Sequence, residues 1–162
     1  MPPQRSETLA TLRRSGDDLV PFFAMEAAAS GRAYAAGKWT AHQVLIHLAD
    51  AETVFFDRLR RLAADEHPLL WAYDENRWAD RLAYGQRSLV RAGALFAATR
   101  AAVIELIEVL PPDAWDRGGV HSEAGARSFA QVAGIIASHT THHLAQVRAA
   151  ADGRTWTADA GG

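Results

Sequence analysis

The apolar residues of this chain recur mostly three and four positions apart. Four long stretches follow this rule, at about 6–29, 40–62, 86–110 and 128–151. Such spacing places apolar side chains on one face of an α-helix. The chain shows no repeat at a fixed period and no strand-like alternation of useful length. The pattern therefore predicts an all-α protein, most simply a four-helix bundle.

Individual residues predict where these helices begin, bend and end. Thr40 and Ser128 are each followed three positions later by a glutamine, which is the spacing of an N-terminal capping box. Pro21 lies inside the first stretch, and a proline there removes a backbone hydrogen bond, so a bend or break is expected near Val20. The pair Pro111–Pro112 ends the third helix.

Two long connections separate the later helices. The acidic and aromatic run 71–78 leaves room for a short helix, and the segment 113–127 contains Trp115, two glycine-rich turns and a histidine. A loop of that length in a compact protein is often a functional lid or rim. We expect a single helical domain over residues 1–151 and a flexible tail over residues 152–162.

Size and charge exclude several classes of protein. The 162 residues are 49% hydrophobic, enough for one core and one domain. With 17 basic and 19 acidic residues, the net charge of -2 does not favour nucleic acid as a partner. Arg58, Arg60 and Arg61 are predicted to form the solvated face of a helix.

The N-terminus lacks a signal-peptide pattern and no apolar run reaches the roughly 20 residues of a membrane span, so a cytoplasmic protein with no membrane partner is expected.

Three histidines occupy positions where core residues are expected. His139 and His143 are four apart on the apolar stripe of the last helix, and His47 lies on the stripe of the second. Burying three imidazoles without partners would cost on the order of several kcal/mol, whereas one divalent cation bonds a nitrogen of each. Because the chain has no cysteine, the metal ligands must be nitrogen or oxygen atoms. The pattern predicts a metal site with nitrogen donors and at least one open coordination position, suited to zinc or nickel and compatible with iron or manganese.

Residues near this site have two open interpretations each. Asp50, three positions after His47, is either an acid-base group beside the metal or a structural charge, exposed or in an ion pair between helices, while Glu52 points more to the side. His121 is either an acid, base or substrate contact or an ordinary loop histidine. His142 is turned away from the stripe, at the surface or behind the ligands. The His-Glu-x-x-His signature of metalloproteases is absent, because a threonine follows the first histidine of the pair.

Three segments together resemble the DinB-like (YfiT-like) metalloenzyme family. They are Lys38–Glu52 (KWTAHQVLIHLADAE), Trp115–Gly125 with its HSEAG sequence, and His139–Val147 (HTTHHLAQV). The resemblance covers about 9–150. It implies an up-down-down-up four-helix bundle, often a homodimer, that binds one divalent metal ion. Matched position by position, the implied ligands are His47, His139 and His143.

The family resemblance also suggests a type of chemistry. Its characterised members include metal-dependent thiol transferases and isomerases that use bacillithiol, mycothiol or glutathione. It therefore favours a thiol-dependent S-transferase that acts on a small-molecule substrate with a low-molecular-weight thiol as cosubstrate. A chain without cysteine suits an enzyme that borrows its thiol. The alternatives are a metal-dependent hydrolase and a non-catalytic bundle that binds a metal or small ligand.

Overall fold

The computed structural model of the protein describes residues 5–158, and within them four long helices form a bundle. These helices are α1 (Arg5–Leu19), α3 (Ala41–Ala64), α5 (Leu89–Val109) and α6 (Phe129–Ala151). Two short helices, α2 (Ala27–Ser30) and α4 (Glu75–Arg81), lie in the connections, together with 3-10 helices at Val20–Ala24, Tyr84–Gln86 and Pro112–Asp116. Among the described helices, none has the length and apolar character needed to cross a bilayer.

Helices α3 and α5 run in the same direction. Near the start of both helices, the ring of His42 bonds the carbonyl oxygen of Arg87 at 2.8 Å. Near their middle, Glu52 on α3 bonds Arg100 on α5. Two consecutive parallel helices need a connection that returns along the whole bundle, and residues 65–88 provide it.

Helices α1 and α6 both run opposite to this pair. Arg5, at the start of α1, donates to the carbonyl oxygen of Leu110 at the end of α5, with a distance of 2.8 Å. Asp18, near the end of α1, pairs with Arg148 near the end of α6 at 2.8 Å. The order is therefore up-down-down-up, which confirms the predicted all-α four-helix bundle and the topology that the family resemblance implied.

A buried polar layer lies between two apolar clusters of the core. Arg100 is 4% exposed and donates all five of its N–H groups, which joins the four long helices. Its Nε and Nη2 bond the Glu52 carboxylate at 2.6 and 2.8 Å. Nη1 bonds the Leu12 carbonyl oxygen at 2.9 Å and Ser15 Oγ at 3.3 Å, and Nη2 also bonds Thr140 Oγ1 at 2.8 Å. This arrangement fixes α3 and α6 relative to each other beside the histidines.

Most of the predicted helix ends are confirmed. The side-chain oxygens of Thr40 and Ser128 each accept a hydrogen bond from the backbone amide of the glutamine three positions later. In return, the backbone amides of Thr40 and Ser128 donate to the side-chain oxygen of that glutamine. The first helix ends at Leu19, and a 3-10 helix begins at Val20, where the break was expected. Helix α5 starts at Leu89 rather than at residue 86, because the side chain of Ser88 caps its first turn.

The expectation that the chain contains no strands was wrong. Strands β2 (Gly118–His121) and β3 (Gly125–Ser128) form an antiparallel hairpin, and β1 (Leu69–Leu70) pairs with β2 in parallel. Strands of two to four residues offer too few positions for alternation to be visible in a sequence. Gly119 is required here, because a Cβ would lie 2.6 Å from the carbonyl oxygen of Pro68.

The predicted tail begins after α6. The amide of Trp156 donates to the carbonyl oxygen of Tyr34 at 2.7 Å, and the two rings meet edge to face at 5.9 Å. Trp156 also lies 4.9 Å from the ring of His142. Residues 159–162 of the predicted tail lie outside the described residues.

Candidate metal centre

Helices α3 and α6 bring three imidazole rings into a compact triangle. The ring centroids of His47, His139 and His143 are 4.5 to 5.0 Å apart. One ligating nitrogen from each ring lies within 4.8 Å of the other two. The Nε2 atoms of His47 and His139 are 3.0 Å apart. The cluster joins the same three residues that the sequence singled out, because the one-turn spacing on α6 stacks two rings opposite the single ring of α3.

The triangle is closed on one side and partly open on the other. His47 is fully buried, while His139 and His143 are half-buried. The ring of Phe55 packs against His139 at 5.4 Å, and that of Trp39 packs against His47 at 5.2 Å. The α6 side of the cluster is therefore the less deeply buried one.

Burial keeps these imidazoles in their neutral form. It lowers the pKa of His47 to about 3, with a further contribution from the charge of nearby His143. It lowers the pKa of His143 to about 4, although the hydrogen bond to Gln146 opposes this shift. The pKa of His139 is lowered by burial first and by the other two imidazoles second. All three rings therefore carry a free nitrogen lone pair at neutral pH, the form that binds a metal.

A glutamine fixes the orientation of one of these rings. The amide oxygen of Gln146 lies 2.7 Å from Nδ1 of His143 and accepts its hydrogen, which leaves Nε2 of that ring as the free donor atom. The amide nitrogen of Gln146 donates to Nε2 of His142 at 3.2 Å. Gln146 is 4% exposed, so this arrangement is protected from water. A partner behind a ligand that sets its tautomer is typical of metal-binding histidines.

The donor set fits a divalent cation. Tetrahedral zinc with bonds of about 2.0–2.1 Å spaces its ligand nitrogens about 3.4 Å apart, so small ring rotations bring these three onto one ion. When a cation is bound, the Nε2 atoms of His47 and His139, which face each other at 3.0 Å, would both direct a lone pair at the ion. His47, His139 and His143 would hold such an ion.

The comparison with known proteins agrees with this centre. Residues 9–147 match the family model described as the DinB superfamily. The chain belongs to the DinB superfamily. A protein of Oceanobacillus iheyensis named "Putative metal-dependent hydrolase" is 32% identical over 123 residues, which cover 76% of this chain and 71% of that protein. One of the same name from Bacillus mycoides is 24% identical, with coverages of 76% and 70%.

Solved structures share the DinB bundle. YfiT from Bacillus subtilis, described as "a probable metal-dependent hydrolase with an unusual four-helix bundle topology", superposes with a TM-score of 0.85 at 22% identity. The match covers 94% of this chain and 89% of YfiT. A mycothiol-dependent maleylpyruvate isomerase superposes with a TM-score of 0.73 at 13% identity, over 90% of this chain and 61% of the isomerase. At these identities the likeness establishes the fold alone. The family model and the 32% identical relative confirm the family resemblance.

Asp50 forms the ion pair that the sequence left as one of its two interpretations. Its two carboxylate oxygens accept from Arg87 Nη1 and Nη2 at 2.6 and 2.8 Å. This bidentate pair ties the start of α5 to α3. In this DinB-superfamily protein, the carboxylate is therefore already engaged by a cation, and its predicted acid-base role stays a prediction. Glu52 turns away from the histidines towards Arg100.

His121 lies at the end of β2, in the hairpin rather than in the triangle. Its Nδ1 accepts hydrogen bonds from the amides of Glu123 and Ala124 at 3.3 and 3.2 Å, which stabilises the turn. Partial burial, and next the charge of Arg58, lower its pKa. Nε2 of His121 is the atom left for a substrate, so its catalytic role also stays a prediction.

The sequence missed two residues of this region and gave a wrong prediction for a third. Gln146 was not singled out, although its position three after His143 is the signal that identifies it. Arg100 was likewise missed, since spacing along one helix does not show which polar residues meet across a bundle. The prediction for Arg58 was wrong: this side chain is half-buried under the 69–73 segment and donates to the carbonyl oxygen of Trp71, whereas Arg60 and Arg61 are exposed as expected.

Proposed function

We propose that this protein is a metal-dependent hydrolase of small molecules, with His47, His139 and His143 as the metal ligands. The observation that carries the proposal is the compact triangle of three neutral, inward-facing imidazoles on α3 and α6. The relatives named as metal-dependent hydrolases support it. A divalent cation at such a site polarises a carbonyl or phosphoryl oxygen and lowers the pKa of water.

The chain's own residues prepare this site. Gln146 holds His143 with Nε2 directed at the cluster. Arg100 bonds Thr140, the residue next to His139, and so keeps α6 in register with α3. Phe55 and Trp39 cover two of the rings with apolar surface, which limits the water around them. The half-buried side of the triangle leaves access for a substrate.

The proposal extends to the metal, the substrate and the oligomeric state. Three imidazole nitrogens suit zinc or nickel, and they also accept iron or manganese. We also propose a small-molecule substrate, as the family resemblance implies. We also propose a homodimer, as the family resemblance implies, and light scattering on the purified protein measures this directly.

A thiol-dependent S-transferase is the second candidate. The absence of cysteine from the chain favours it, because a low-molecular-weight thiol would then be the only sulfur nucleophile at the site. The shared fold with a mycothiol-dependent isomerase is compatible with this activity, but the relatives with higher sequence identity carry the name of hydrolases. A non-catalytic metal-binding bundle is the third outcome that the following experiment distinguishes.

The test is hydrolysis of activated esters and anilides by tag-free protein, with zinc, nickel or manganese added in turn. We expect turnover that is abolished by a chelator, restored by metal, and lost in His143→Ala. The control is His67→Asn, which removes an exposed histidine in a left-handed turn that asparagine tolerates. Turnover only when glutathione or another thiol is added with an electrophile would favour the transferase. No turnover in either assay by metal-loaded protein would refute both.

A further inference from the structure

A cavity of about 450 Å³ lies beside α3, outside the histidine triangle. Its floor is formed by α3, and its wall by β1 and the segment that follows it. The volume is within the range of small-molecule sites. Phe55 lies near both places, since its ring is 5.7 Å from the Arg58 guanidinium and 5.4 Å from the ring of His139.

The cavity is lined by an arginine, Arg58, that forms no ion pair among the described residues. Its charged lining residues are Asp57, Arg58 and Arg61. Within the described part of the chain, Asp57 pairs with Arg61 at 2.6 Å and with Arg60 at 3.4 Å, rather than with Arg58. Nε of Arg58 is buried without a hydrogen-bond partner among the described residues. Burial lowers the pKa of Arg58, and the charges of Tyr73 and Asp57 partly oppose this shift.

The rest of the lining is aromatic and aliphatic. Tyr73 and Trp78 stack with ring centroids 4.3 Å apart, and Val54 and Leu70 supply aliphatic surface. Trp71 stands at the same cavity with 71% of its surface exposed. A large aromatic side chain left this exposed beside a cavity is typical of a binding site rather than of a folding core.

We propose that this cavity binds a small organic anion, a carboxylate attached to an aromatic or similarly flat apolar group. Arg58 contacts the carboxylate, and Trp71, Tyr73 and Trp78 contact the apolar part. A guanidinium beside aromatic surface suits such a ligand because it offers paired N–H donors to a carboxylate. Phe55 lies close to both Arg58 of this cavity and His139 of the metal centre, so the inference extends to the substrate class of the proposed hydrolase. In that respect the inference rests on the proposed function.

The test is calorimetric binding of 1-naphthoate and of its neutral analogue 1-naphthamide to the full chain, with and without a chelator. We expect 1-naphthoate to bind in both conditions and 1-naphthamide to bind at least about tenfold more weakly. Arg58→Gln should weaken 1-naphthoate about tenfold or more and leave 1-naphthamide unchanged. Arg58→Lys keeps the charge but loses the paired donors, so it should fall between the two.

The matched control is Arg60→Gln, which removes an exposed arginine of the same helix that does not line the cavity. It should bind 1-naphthoate within about twofold of wild type. Thermal unfolding of each variant checks that the 69–73 segment, which Arg58 bonds through Trp71, stays folded. If Arg58→Gln unfolds, the affinities of Arg58→Lys and Arg60→Lys for 1-naphthoate are compared instead. Only Arg58→Lys should then bind more weakly than wild type. Equal affinity for the acid and the amide, equal effects at residues 58 and 60, or no binding would overturn the inference.

Hydrolysis assays separate this inference from the proposed function. Aryl esters that differ only by one carboxylate are compared in wild type and Arg58→Gln. A selective loss of kcat/KM for the anionic ester in Arg58→Gln supports both the anion site and the hydrolase activity. Metal-dependent turnover of both esters with no effect at Arg58 overturns the inference and keeps the hydrolase. Arg58-dependent binding of 1-naphthoate without hydrolysis of any ester keeps the anion site and contradicts the hydrolase.

Discussion

Replacing Glu52 by glutamine tests the polar layer that holds α3 and α6 together. The substitution keeps the size of the side chain and removes its charge, so Arg100 is left as a buried cation without a counter-ion. The two residues are 2% and 4% exposed, and two bonds of 2.6 and 2.8 Å join them. Water does not reach the guanidinium to compensate for the lost carboxylate.

The expected loss of stability is large for a single isosteric change. Removing one partner of a buried ion pair costs about 3–5 kcal/mol. Leu12, Ser15 and Thr140 still accept hydrogen bonds from Arg100, which favours the lower end of this range, about 3 kcal/mol. With a urea dependence of about 2 kcal/mol per molar, the midpoint of unfolding should fall by roughly 1.5 M.

The assay is urea unfolding of wild type and variants, followed by circular dichroism at pH 7 in the presence of a chelator. The matched control is Asp57→Asn on the same helix, because Asp57 pairs with Arg61 at 2.6 Å with both side chains about half exposed. An exposed pair contributes at most about 1 kcal/mol. If Glu52→Gln lost less than about 1 kcal/mol of stability, or no more than Asp57→Asn, the buried polar layer would not be a main source of stability.

Three further predictions concern the histidines and the hairpin. The pKa values of His47 and His143, lowered to about 3 and about 4, mean that the metal-free fold keeps both imidazoles neutral while the unfolded chain protonates them. The free energy of unfolding should therefore be greatest above pH 6.5 and should fall as the pH drops towards 4, by on the order of 2 kcal/mol or more at pH 5. A melting temperature that does not change with pH would contradict this. Gln146→Leu should weaken metal binding about 10- to 100-fold in a competition titration, and an unchanged affinity would show that the Nδ1 hydrogen bond is unimportant. Gly119→Ala should destabilise the protein by roughly 1–3 kcal/mol, because its Cβ would lie 2.6 Å from a backbone oxygen, whereas Gly118→Ala, with 3.6 Å available, should change stability much less in the same unfolding assay.

The sequence predicted the parts of this molecule that depend on local spacing. The capping residues Thr40 and Ser128 and the break at Val20 are set by neighbours within four positions, so they were visible without a structure. The histidine cluster was predictable for the same reason, since His139 and His143 share one face of α6 and only one further ligand had to be found.

The missing parts depend on contacts between distant segments. Glu52 was expected to point aside, but its position on α3 says nothing about Arg100, which meets it from a helix 48 residues later. The burial of Arg58 depends on the 69–73 segment folding back over α3, and that fold requires β1 to pair with β2 some 50 residues further on. No local pattern contains this pairing, so the cavity and its charge became visible only in the structure.

Measuring the metal content of tag-free protein decides whether the three histidines bind a metal ion. Wild type, His143→Ala and His67→Asn are purified identically, dialysed against a mixture of zinc, nickel and manganese, and measured by plasma emission. We expect about one divalent ion per chain in wild type and His67→Asn, and a loss of most of that metal in His143→Ala, in keeping with a three-histidine site. No bound metal in wild type, or the same content in His143→Ala, would contradict the assignment of these histidines as ligands.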